Sequence, residues 1–278
     1  MQSCMKWMPP FSNEPDIIMR DTLSDPQAEM PISQKDPVAR SQELMRTPLP
    51  KRFYEKAEVA EVEGGFTVHL DGRPVKTPAR AVLLLLTREA AEIIAEEFRA
   101  QEKVIDPSKM PATRLVNTAI DGIAQDPQAV FEDILRFAGT DMICYRAASP
   151  KELVARQTEQ WDPLIDWAES LGARFALAEG VMHVEQSREA IAAFGIHLAE
   201  FKNPIALASL HTMTTLTGSA LIALAIAKGE VSVEDGWKRA HLDEDWTIEH
   251  WGEDAEARAR RTTRESEMLV AARVLQAL

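Results

Sequence analysis

Glycine, cysteine and closely spaced histidine are scarce in this chain, and each scarcity removes a class of chemistry. Only twelve glycines occur in 278 residues. No two stand two apart and none four apart, so GxGxxG and the GxSxG nucleophile elbow are both missing. The GxxxxGK[ST] loop, whose backbone amides cradle nucleotide phosphates, is missing too. The two cysteines, Cys4 and Cys144, form no CxxC pair and suggest a reducing compartment, with Cys144 an ordinary buried thiol. HExxH does not occur, and the six histidines never pair with cysteine at close metal-ligand spacing. No metal and no cofactor is expected, and nothing local supplies a nucleophile beside a base.

Positive charge is also in deficit. Lys and Arg number 31 against 44 Asp and Glu, a net charge of −13. Such a surface repels nucleic acid and anionic lipid, so neither is expected as a general partner. Hydrophobic residues make up 45%, enough to build a core. The one long uncharged run, 205–227, reaches the ~20 residues that span a bilayer. It carries four threonines, two serines, a glycine and a histidine, which weaken insertion. It reads as a buried, broken helix in a soluble monomer without membrane insertion.

Residues 1–50 hold eight of the sixteen prolines and no sustained hydrophobic period; they read as a disordered tail. They do not form a secretory signal, because no apolar segment follows a basic start. Six acidic residues between Glu14 and Asp36 make them a poor transit peptide. Met45 is an alternative start. From 52 to 86, β-favouring runs alternate with Gly64-Gly65 and Asp71-Gly72, the pattern of hairpins. Thr87 then caps a helix with Ala91, Ile94, Ala95 and Phe98 on one stripe. Beyond 109 the pattern is helical: 112–124, 127–138, 151–171, 186–201, 205–227 and 232–277. Ser149, with Glu152 as its box partner, is expected to start the helix at 151. The fold class is therefore α+β. A small β-rich domain over 51–108 precedes a larger helical domain over 109–278.

Two polar-aromatic stretches remain for function. The first, 241–258, holds seven carboxylates, two tryptophans and two histidines. Projected on a helix, Trp237, His241, Glu244, Ile248, Trp251 and Ala255 share one face. If the helix breaks with Asp243 as N-cap, Glu244, Ile248 and Trp251 still do. A carboxylate on an apolar stripe must be neutralised, paired or left for a partner, so Glu244 is the leading candidate for either a buried ion pair or a contact. Asp254 with Arg258, and Glu256 with Arg260, read as solvated i,i+4 pairs. His241 and His250 lie on different faces, which argues against a shared metal. In the second stretch, 140–167, Trp161 and Trp167 read as core anchors, and Tyr145 and Arg146 as residues of a surface cleft.

Five segments resemble one known family: "DGRPVKTPAR" (71–80), "IDPSKMPATRLVNTAID" (105–121), "TDMICYRA" (140–147), "QWDPLIDW" (160–167) and "DEDWTIEHWGEDAEA" (243–257). Together, in this order, they are similar to the assembly chaperones of the F-type ATP synthase catalytic head that bind the unassembled alpha subunit. The resemblance spans about 51–278. It implies a β-rich N-terminal domain, a C-terminal orthogonal helical bundle, no ATP binding and no turnover. It implies the alpha subunit as partner, and the bacterial cytoplasm or the mitochondrial matrix as compartment. The family's acidic functional position falls in its Glu-rich Trp-Gly segment, which maps onto Glu244 or Glu249; the helix projection favours Glu244. Trp246, Trp251, Asp254, Tyr145 and Arg146 complete the expected partner-binding set. The alternative function is a carboxylate-based hydrolase using Glu244.

Overall fold

In a computed structural model, residues 49–180 and 183–278 are described, so most of the proline-rich tail lies outside the described residues. The two glycine signals produce the turns they predict. Gly64 and Gly65 have φ of 88° and 153° and join β1 (Ala57–Val62) to β2 (Gly65–Leu70) as an antiparallel hairpin with Val59 opposite Val68. A Cβ on Gly65 would stand 2.2 Å from the Leu85 carbonyl oxygen. That approach is needed because Phe66 and Leu85 exchange two backbone hydrogen bonds of 2.8 Å. Asp71 and Gly72, both at positive φ, turn β2 into β3 (Arg73–Pro74), the dihedral pattern of a tight hairpin turn.

Thr87 caps α1 (Arg88–Arg99) by accepting from the Ala90 amide at 3.1 Å. The stripe Ala91, Ile94, Ala95 and Phe98 is buried against β1 and β2. On the far side of α1, the half-buried Glu97 carboxylate accepts from the Ala112 and Thr113 amides at 2.7 and 2.8 Å. It thereby satisfies the open N-terminus of α2 (Pro111–Asp121). Burial raises its pKa, against the opposing pull of those donors.

Helices α3 (Pro127–Gly139), α4 (Lys151–Ser170) and α5 (Arg188–Leu198) follow, the first two separated by a short parallel pair partner, β4 (Tyr145–Arg146) with β5 (Ala178–Glu179). The uncharged run forms two helices, α6 (Pro204–Thr217) and α7 (Ala220–Ala227). Gly218 at φ 69° breaks the run in a left-handed C-cap, and Ser219 caps the second helix. Both helices are apolar around most of their circumference, as central helices must be; α6 packs against α2 and α3 and is flanked by the last helix of the chain. Among the described residues no helix is long and apolar enough to cross a membrane.

Where the run begins to turn, Asp141 is fully buried and accepts from the Leu221 amide at 2.9 Å and the Ile143 amide at 3.3 Å. Burial pushes its pKa up to about 6, against the opposing pull of those amides. Asp141 thus fastens the 3-10 turn 142–144 to the start of α7.

Two expectations are corrected. Residues 232–277 form three helices rather than one: α8 (Val233–Ala240), α9 (Leu242–Trp251) and α10 (Ala255–Gln276). The first break falls at His241, whose buried ring lies 3.8 Å from the Trp237 ring and bonds the Trp237 carbonyl oxygen through Nδ1 at 2.9 Å. The second is Gly252 at φ 86°. Ser149 does not cap α4, which follows Pro150 without any side-chain cap.

Candidate functional site

The acidic stretch is built on a rigid base. Ser232 caps α8, and Gly236 seats it on α7 so closely that a Cβ would come within 2.6 Å of Ile226 Cδ1. Trp161, fully buried on α4, donates from Nε1 to the Arg239 carbonyl oxygen at 2.8 Å. The chain then turns at His241. Burial lowers the pKa of that imidazole, so a neutral ring fills the joint.

Helix α9 buries only Leu242. Its inner side is pinned by polar contacts instead. Gln157 on α4 donates to Asp243 Oδ1 at 2.8 Å and accepts from the Ala147 amide at 2.8 Å. Arg156 grips Glu249 with both Nη atoms, at 2.8 and 3.0 Å, and its guanidinium lies 5.1 Å from the Trp246 ring centroid. The hydrogen bond from Arg156 holds the Glu249 carboxyl below its ordinary pKa. Arg261 on α10 pairs with Asp245. His250 stacks on Trp246 with ring centroids 4.2 Å apart and bonds its carbonyl oxygen. After Gly252, Asp254 caps α10 by accepting from the Ala257 amide at 2.8 Å.

What remains unpinned is one outward face. Glu244, Thr247, Ile248 and Trp251 follow the i, i+3, i+4, i+7 spacing of a single stripe. Glu244 and Thr247 are exposed, Ile248 is half-buried and Trp251 is 77% exposed. Glu244 forms no ion pair among the described residues, although its charge reaches His241 and Arg261. The stripe expected from the projection therefore exists over α9, but it points to solvent. The break at His241 turns Trp237 and His241 into the core and leaves Glu244 outside it. A second correction concerns Asp254, which caps its helix while Arg258 pairs with Glu253 at 2.7 Å; Glu256 and Arg260 do pair, at 2.6 Å.

Tyr145 and Arg146 lie apart from that face. The Arg146 side chain is only 11% exposed; it pairs with Asp162 at 2.7 Å and lies over the Trp161 ring. Tyr145 is half-buried, with its hydroxyl 3.1 Å from His183 Nδ1. Gln157 and Arg156 were not singled out from sequence, yet they position α9. A signal existed for Gln157: it falls on the buried stripe of Trp161, Leu164 and Ala168, where an amide must find partners.

Among the described residues, the hollows bordered by α1, α2, α3, α5, α6 and α10 take no residue from α9. A carboxylate on an open face, without a second acid in a closed pocket, suits contact rather than acid–base hydrolysis. Among the described residues no group of three or more His, Cys, Asp or Glu could hold a metal ion. Replacing Arg156 with alanine removes the clamp on Glu249 and Trp246. Amide hydrogen exchange over 242–251 is expected to speed up while exchange in α7 stays as it was. Unchanged exchange in α9 would show that Arg156 does not hold it.

A family model described as ATP12 chaperone protein matches residues 51–169. The mitochondrial protein atp12 of Schizosaccharomyces pombe is 25% identical over 229 residues, covering 75% of this chain and 78% of its own length. A solved structure from Agrobacterium tumefaciens, provisionally described as a chaperone, is 57% identical with a TM-score of 0.81, over 88% of this chain and 92% of that one. Atp12 from Paracoccus denitrificans is 37% identical with a TM-score of 0.77, over 82% of this chain and 98% of its own.

Proposed function

This chain belongs to the ATP12 family of ATP synthase assembly chaperones, and within it we propose that the chain holds the unassembled alpha subunit and masks the surface that later meets the beta subunit. The observation that carries the reading is the outward face of α9, where Glu244 and Trp251 stand exposed on a helix braced from behind. An exposed tryptophan leaves a large apolar surface in water, and with a solvated carboxylate two turns away on the same stripe it has the composition of an interface anchor. A subunit interface exposed before assembly invites aggregation, and a stoichiometric cap suppresses it. Release follows by mass action, because the beta subunit competes for the covered surface. In this reading the cycle runs by exchange of partners.

The test is size-exclusion chromatography of the purified chain with free alpha subunit. A one-to-one complex that dissolves when beta subunit is added is the expected result. Failure to retain alpha subunit, or a ternary complex that beta subunit does not disturb, would overturn the reading.

A further inference from the structure

A second surface lies away from α9, between α3, α5 and the start of α6. Two adjoining hollows of about 630 and 350 Å3 share Phe131 and Ala199 and form one open trough. Its floor is apolar: Phe131 and Leu135 from α3, Ile191 and Ile196 from α5. Gly195 of α5 faces Leu135 of α3, where a Cβ would stand in ordinary contact at 3.4 Å from Cδ2. Ile196 on that floor is 69% exposed, behind only Trp251 and Phe53 among the large apolar side chains of the described residues.

The charge at the trough opposes that of the chain. Only two charged residues line it, Arg188 and Lys202, and both are basic on a protein of net charge −13. Neither has a carboxylate partner among the described residues. Acids stand beside the lining but not in it: Glu132 accepts from the lining Gln128 at 2.9 Å, Glu200 pairs with Lys228 at 2.8 Å, and Glu185 and Glu189 flank Gln186 and Arg188 as exposed residues. Arg188 opens α5 and Lys202 follows its end, so the two cations stand at opposite ends of a trough roughly 15–20 Å long, the rise of about three helical turns. An apolar floor with a free cation at each end complements an amphipathic helix with an apolar stripe and acidic residues near its ends.

We infer that this trough is a second docking surface for the client subunit, taking one amphipathic helix with acidic ends. The inference rests on the reading of the chain as a holder of free alpha subunit. Two anchors on separate parts of one surface raise retention beyond either alone, because the second contact forms within the complex.

The test compares alpha-subunit binding by wild type, Ile196→Glu and the Arg188→Glu/Lys202→Glu double variant, with melting curves for each. All three positions are exposed, so melting is expected to be unchanged. Ile196→Glu is expected to weaken binding by about tenfold or more. The double variant is expected to weaken it mainly at low salt and to flatten its salt dependence. Wild-type affinity in both variants overturns this inference and leaves the α9 face as the interface. A wild-type dimer that the variants convert to monomer overturns it as well, since the trough would then join two copies of this chain. A wild-type protein that holds no alpha subunit overturns the parent reading, and this inference falls with it.

Discussion

Asp141→Ala is expected to cost about 3 kcal/mol of stability, and to lower the melting temperature by roughly 6–12 °C for a domain of this size. The carboxylate is fully buried and accepts from the Leu221 and Ile143 amides. Alanine leaves both donors without an acceptor in a site closed to water, and it removes the acceptor that, beside the Ser219 cap, holds the first turn of α7. Asp141→Asn should lie between, because its amide keeps one acceptor but turns a donor toward other donors. The pH dependence separates this mechanism from simple loss of packing. The folded pKa of about 6 lies above the ordinary value of 3.8, so the native state binds the proton more tightly than the unfolded chain. Stability from this group is fully present below about pH 4 and is lost as pH rises through 6. Asp141→Ala lacks that component, so its melting temperature should fall less than that of wild type between pH 4.5 and 7. Parallel curves with equal midpoints would remove Asp141 from the account of the fold.

Turn chemistry made much of this architecture legible. Gly64-Gly65 and Asp71-Gly72 require positive φ, and they fixed the hairpins; Gly218, the one glycine of the uncharged run, broke it in a left-handed C-cap. The break at His241 carried no such mark. No glycine or proline stands there, and the apolar period runs on through Trp237, His241, Ile248 and Trp251, so only Asp243 as a candidate N-cap hinted at a break. What ends α8 is partly tertiary: Gly236 seats it against Ile226, Trp161 takes the Arg239 carbonyl oxygen, and the His241 ring folds back locally on Trp237. The same limit explains Glu244. Periodicity showed which residues share a face, and Glu244, Ile248 and Trp251 do share one. It could not show which way that face points, because the helix carries tryptophan on both sides. Trp246 turns inward under Arg156, and Trp251 turns outward. The clamps that decide between them, Arg156 and Gln157, lie far away in the sequence. The parallel pair of β4 and β5, two residues each, was too short to leave a pattern.

Glu244→Lys is expected to abolish retention of the alpha subunit while leaving the fold intact. The carboxylate is exposed and makes no ion pair among the described residues, so reversing its charge removes no internal contact. It does place an ammonium near Arg261 and His241, which already feel the charge of Glu244. At an exposed position that repulsion is screened, and the melting temperature should move by no more than about 2 °C. Binding is another matter. A partner cation or amide that meets Glu244 in a desolvated contact would instead meet a positive charge, and binding should weaken by about a hundredfold or more. Glu244→Gln keeps the shape and one acceptor oxygen, so it should lose far less. Trp251→Ala, seven residues or about two turns further along the same face, should weaken binding by at least about 30-fold if the ring is an anchor. The two changes should be non-additive, because both side chains would meet one patch of the partner. Glu249→Lys offers the contrasting case: it breaks the clamp from Arg156 and should loosen α9 before it alters any contact. A Glu244→Lys protein that melts like wild type and still retains the alpha subunit at wild-type affinity would move the interface off this face. Glu249, held by Arg156 at the inner edge of the same helix, is then the next carboxylate to test.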